Sequence, residues 1–98
     1  MDKTKVTPCA CFSHDDQKGQ LKVEMELPGV EKKDIRLDMR KDSFCVTAPR
    51  GQETEYSGCF MLAHEVIPDK TEAKYESGLL RIFAPIRDWE HRVNVTIQ

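Results

Sequence analysis

Four cysteines and three histidines are the side chains of this 98-residue sequence best equipped for chemistry. Cys9, Cys11, Cys45 and Cys59 invite three readings: disulfides, a metal site, or a nucleophile activated by His14, His64 or His91. Structural zinc sites usually pair thiolates across two to four residues, whereas Cys9-Ala10-Cys11 is C-x-C and the other two thiols stand alone. Spacing therefore sets a metal aside. The start Met1-Asp2-Lys3-Thr4-Lys5 lacks the apolar stretch of a secretion signal, which implies a reducing cytoplasm, and each cysteine lies in an apolar or alternating segment. The expectation is four reduced cysteines that act as small packing hydrophobes.

A nucleophile requires a histidine held by a carboxylate. His14 is near Cys9 and Cys11 in sequence, but His64 alternates with apolar neighbours at the end of a strand, as a surface or satisfied core histidine does. The loops are short for an active site. None of the five glycines belongs to a phosphate-cradling G-x-x-x-x-G-K-[ST] or G-x-G-x-x-G loop. The chain reads as no enzyme, with no cofactor and no use of nucleotide.

The elements that must carry these residues are strands. One domain is all that this length supports. Fifteen Lys and Arg against seventeen Asp and Glu, mixed along the chain, leave a net charge of −2 and no basic face for nucleic acid. No apolar run approaches the roughly 18 residues of a membrane-spanning helix. A cytoplasmic location follows as the expectation, with no nucleic-acid or membrane partner.

Two-residue alternation recurs along the chain. Leu21, Val23, Met25 and Leu27 alternate with Lys22, Glu24 and Glu26 until Pro28-Gly29, and Ile35, Leu37 and Met39 alternate with Arg36, Asp38 and Arg40. Phe44 to Ala48 forms the partner of a hairpin closed by Pro49. After a polar stretch over residues 50–57, a strand over 59–67 is expected, then a short strand near Lys74-Tyr75-Glu76, a Ser77-Gly78 turn and an apolar strand over 79–84. Cys9, Cys11 and Ser13 suggest a first strand, and Val93, Val95 and Ile97 a last one. Residues 30–35 supply at most one helical turn. Seven to eight strands punctuated by Pro and Gly predict an all-β, antiparallel, immunoglobulin-like sandwich.

Two segments then carry a resemblance. Leu27-Pro28-Gly29-Val30 with Asp34-Ile35, followed by Ala73, Gly78 and Leu80 in an A-x-x-x-x-G-x-L pattern, resemble the alpha-crystallin domain of the small heat shock proteins. The likeness covers residues 9–86, leaving a short N-terminal segment over 1–8 and an extension or last strand over 87–98. It implies an ATP-independent, stress-related chaperone that holds unfolding clients, with a groove flanked by residues 35–39 and 71–75. Leu37, Met39, Ala73 and Tyr75 are the candidate groove residues. Val93, Val95 and Ile97 resemble the family's docking tail, although a short linker containing Trp89 favours an ordinary last strand. Edge strands or this tail would mediate self-association. The interval between the strand ending at Ala48 and the one near Gly58 is too short for the family's swapped strand, and no long N-terminal arm is present, so a monomer or weak dimer is expected. Those departures also resemble the co-chaperone CS domain, an adapter for one folded partner. A module stabilised by metal through the four cysteines is a third class.

Overall fold

The computed structural model describes residues 4–15, 17–87 and 95–98. Eight strands occur among them: β1 (Thr4–Val6), β2 (Ala10–Asp15), β3 (Gln20–Glu26), β4 (Arg36–Met39), β5 (Ser43–Arg50), β6 (Thr54–Met61), β7 (Glu72–Glu76) and β8 (Leu79–Pro85). They form two four-stranded sheets, ordered β1-β6-β5-β4 and β2-β3-β8-β7. The expected sandwich is what folds, with short 3-10 turns at Lys32–Asp34 and Pro68–Lys70.

Alternation decides which residues meet between the sheets. Leu21, Val23 and Met25 of β3, Leu80, Ile82 and Ala84 of β8, and Phe44, Val46 and Ala48 of β5 are all buried, while Lys22, Glu24 and Arg81 point outward. Register sets Val23 beside Ile82 and Met25 beside Leu80. Each such fully buried Leu, Ile, Val, Met or Phe side chain contributes about 1.5–3 kcal/mol of transfer free energy. On the outer face Glu24 pairs with Lys22 at 3.2 Å and Arg81 at 3.7 Å, contacts open to water that add little stability.

Four expectations are corrected. First, Pro49 does not end β5, which runs to Arg50; the last β4 pair is Arg36 with Thr47, so the missing N–H of Pro49 faces no β4 partner. Second, β6 begins at Thr54, inside the polar stretch: a tight turn over residues 51–53 joins it to β5, and Tyr56 alone supplies its buried signal there. Third, the segment before residue 8 holds β1, which pairs in parallel with Thr54, Glu55 and Tyr56 and covers that part of the β6 edge. It is too short to show periodicity.

The fourth concerns sulfur. Cys45 and Cys59 form a disulfide rather than two reduced thiols, because the β5–β6 register sets them directly opposite each other with Cα atoms 4.1 Å apart. The bridge lies on the outer face of its sheet, since Phe44, Val46 and Tyr56 take the inner one. Cys9 and Cys11 are free and exposed, so neither is a core residue.

Candidate functional site

The groove is built by the two turns that the sequence motifs encode. Leu27 is wholly buried and its N–H donates to the Gly78 carbonyl at 2.7 Å, tying the first motif to the second. Gly29 has φ of +79° and lies under the Arg50 side chain, where a Cβ would come within 2.7 Å of Nε. Ser77 and Gly78 both take positive φ, the signature of a tight two-residue hairpin turn. The Tyr75 hydroxyl then reaches back from β7 to the Leu27 and Val30 carbonyls, at 2.7 and 2.9 Å.

This clasp holds β4 and β7 on the same side of the sandwich. Each is the edge strand of its sheet, β4 pairing with β5 and β7 with β8, so each has one row of backbone groups without a strand partner among the described residues. Between them lies an open depression of about 160 Å³, lined by Lys32, Ile35, Leu37, Ala73, Tyr75 and Leu80. Its walls are apolar apart from Lys32 at the rim, and Glu72, Lys74 and Glu76 of β7 are exposed.

Of the four residues expected to line a groove, Leu37, Ala73 and Tyr75 border this depression. Met39 does not: it is half-buried against both core clusters and borders an adjacent hollow that Leu37 also lines, together with Arg40, Ser43 and Phe44. Ile35 and Leu80 complete the lining, and both fall inside the two motifs, where the chain enters and leaves the turns. Val93 and Trp89 lie outside the described residues. Val95 is 73% and Ile97 95% exposed, and residues 95–98 form no strand, so the expectation of a last strand packed on its own sandwich is not met there.

The nucleophile arrangement weighed from sequence does not assemble on β2. Ala10 packs against the core and Phe12 against Phe44 and Phe60, at ring-centroid distances of 6.4 and 6.3 Å, which places His14 on the inner side of the strand. Cys11 alternates to the outer side. Among the described residues no cluster of three or more His, Cys, Asp or Glu is suited to a metal ion, and no helix is long and apolar enough to cross a membrane.

No protein-family model matches the chain. A curated relative, the probable 15 kDa heat shock protein of Leptospira interrogans, is 28% identical over 75 residues, which span 63% of this chain and 58% of the relative's length. Among solved structures, heat shock protein 16.0 from Schizosaccharomyces pombe superposes with a TM-score of 0.76 at 18% identity, covering 96% of this chain and 77% of that one. HSP18.5 from E. histolytica gives 0.76 at 16% identity, covering 94% of this chain and 99% of that one. A mutant of hsp14.1 from Sulfolobus solfatataricus P2 gives 0.72 at 24%, covering 85% and 78% respectively. The similarity extends over both sheets and both turns, and the chain therefore has the fold of the small heat shock proteins, as its two motifs imply.

Proposed function

We propose that this chain is an ATP-independent chaperone of the small heat shock type, which holds unfolding proteins and keeps them from aggregating. The observation that carries the reading is the apolar depression between two edge strands, β4 and β7, on a fold shared with heat shock proteins. An extended segment laid along either edge gains main-chain hydrogen bonds, and its apolar side chains find Ile35, Leu37 and Leu80. Unfolding clients expose such segments; folded ones do not. Binding them lowers the concentration of aggregation-prone chains by mass action, and release is passive.

In this reading Leu37, Ala73 and Tyr75 form the contact surface for non-native clients, and Met39 supports it from within the sandwich. Val93, Val95 and Ile97 form a tail that docks in the same groove of a second copy. The assembly is a monomer or weak dimer rather than a shell.

Light scattering of several heat-labile client proteins, with and without a stoichiometric amount of this chain, tests the proposal. Suppressed aggregation without added nucleotide is the expected result. Unchanged aggregation of every client would sink it, and a single folded protein retained on the immobilised chain would then favour the adapter role of the CS domain.

A further inference from the structure

His14 and His64 are 50 positions apart in the chain and are brought together by the sandwich. Their ring centroids lie 4.7 Å apart with the planes at 67°. His14 is fixed on β2, an edge strand of its sheet among the described residues, directly opposite Leu21 of β3. His64 belongs to the segment leaving β6 in the other sheet, pinned on either side by Leu62 N–H donating to the Asp42 carbonyl at 2.8 Å and Val66 N–H to Lys41 at 2.7 Å. Buried Val66 also bridges to Ile86. Both backbones are thus held, and the two imidazoles meet across the seam on the side of the sandwich away from β4 and β7.

Neither imidazole has a hydrogen-bond or ion-pair partner among the described residues, so their nitrogen lone pairs are uncommitted. His14 is exposed and His64 half-buried, which leaves a path for a solute from water. Two imidazoles bound to one metal at about 2.0–2.1 Å per nitrogen, at a near-right to tetrahedral angle, have ring centroids about 4.5–5 Å apart. The observed separation falls in that interval. Imidazole is the ligand preferred by zinc, nickel and copper over magnesium or calcium.

We infer that His14 and His64 form a two-imidazole site for a divalent transition cation, with water completing its coordination, and that the bound ion clamps the β2 edge to the segment after β6. The exposed thiol of Cys11 takes no part, because it lies on the opposite side of β2 from His14. The site is independent of the β4–β7 groove, so its existence does not rest on the chaperone reading.

Titration of the full chain with Ni²⁺ alone, followed by calorimetry and by thermal unfolding, tests the inference. The expected result is one site whose occupancy raises Tm. Loss of even a supporting partner of a metal ligand costs about ten- to a hundredfold in affinity, so His14→Gln and His64→Gln should each weaken binding by at least about tenfold. Each variant should also lose the metal-induced rise in Tm while the metal-free protein unfolds as before. A Cys9→Ser/Cys11→Ser variant and a His91→Ala variant should bind as the parent does. Binding that survives both glutamine substitutions, or that disappears with the two cysteines or with His91, would overturn the assignment, as would the absence of any binding by the parent chain. Should either glutamine variant unfold, imidazole nuclear magnetic resonance of the parent decides: Ni²⁺ must broaden the His14 and His64 signals together.

Discussion

The Tyr75 hydroxyl lies 2.7 Å from the Leu27 carbonyl and 2.9 Å from that of Val30, so a residue of the second motif closes the turn encoded by the first. Both carbonyls leave the ladder where Pro28-Gly29 redirects the chain between sheets, and the single hydroxyl proton is shared between them. Leu27 N–H donating to the Gly78 carbonyl completes the junction from the other side.

Replacing Tyr75 with Phe keeps the ring and removes that donor. The two part-buried carbonyls then lose the one proton they share, which should cost about 1–2 kcal/mol. For a domain of this size each kcal/mol lowers Tm by about 4–8 °C. Thermal unfolding of the variant checks it, and an unchanged Tm would mean that water replaces the hydroxyl without loss.

The Cys45–Cys59 bridge closes a loop of sequence separation 14 on the outer face of the β5–β6 hairpin. Thiol titration of the denatured, unreduced chain should find two free thiols, Cys9 and Cys11, rather than four. Breaking the bridge with a Cys45→Ala/Cys59→Ala variant should lower stability by up to about 3 kcal/mol, the loop-entropy value for a closure of this length. Four titratable thiols before reduction would refute the bridge.

The aromatic cluster separates full from partial burial. Phe44 is wholly buried and stacks on Phe60 at 5.2 Å, whereas Phe12 touches both rings but stays 45% exposed. Phe44→Ala should cost about 3–5 kcal/mol through transfer and cavity terms. Phe12→Ala should cost clearly less, because water already reaches much of the ring. Paired denaturant titrations with equal m-values would verify the order.

Strands β3 and β5 are legible because each buries one complete face, so that period-two alternation appears as Leu21-Val23-Met25 or Phe44-Val46-Ala48, and β8 is legible as an apolar run over residues 79–84. The motif turns are legible because Gly29 and Gly78 take positive φ and Pro28 has no N–H to continue a ladder. β1 and the start of β6 carry no such signal, for the opposite reason. β1 is exposed throughout, and Thr54 to Gly58 offers one buried side chain, Tyr56, so no repeat exists to detect. The disulfide and the histidine pair depend on register and on the approach of two sheets, which no local pattern encodes. Leu37 and Met39 share a face of β4, and alternation alone did not tell which one borders the groove.

Ala73 offers a clean probe of the groove. It is exposed on β7 yet borders the depression, so Ala73→Glu should leave stability within about 0.5 kcal/mol, as surface changes usually do. A carboxylate there places charge where an apolar client side chain would sit. Suppression of client aggregation should fall severalfold at an unchanged Tm. Full activity in this variant would move client binding to another surface.

Val95 and Ile97 carry the last prediction. Both are exposed and residues 95–98 form no strand, so Ile97→Ser removes little that holds the sandwich together and should leave Tm unchanged. A docking tail would nevertheless use this side chain in trans. Size-exclusion chromatography with light scattering should then show any dimer of the parent shifting to monomer in Ile97→Ser and in a chain truncated after residue 88. Ala73→Glu should act on the same equilibrium from the receiving side. If tail and groove meet, the double variant associates no more weakly than the weaker single one, because either change already removes the shared contact. Additive effects would place the tail and Ala73 in separate contacts, and unfolding on truncation would show that the chain beyond residue 88 belongs to the core.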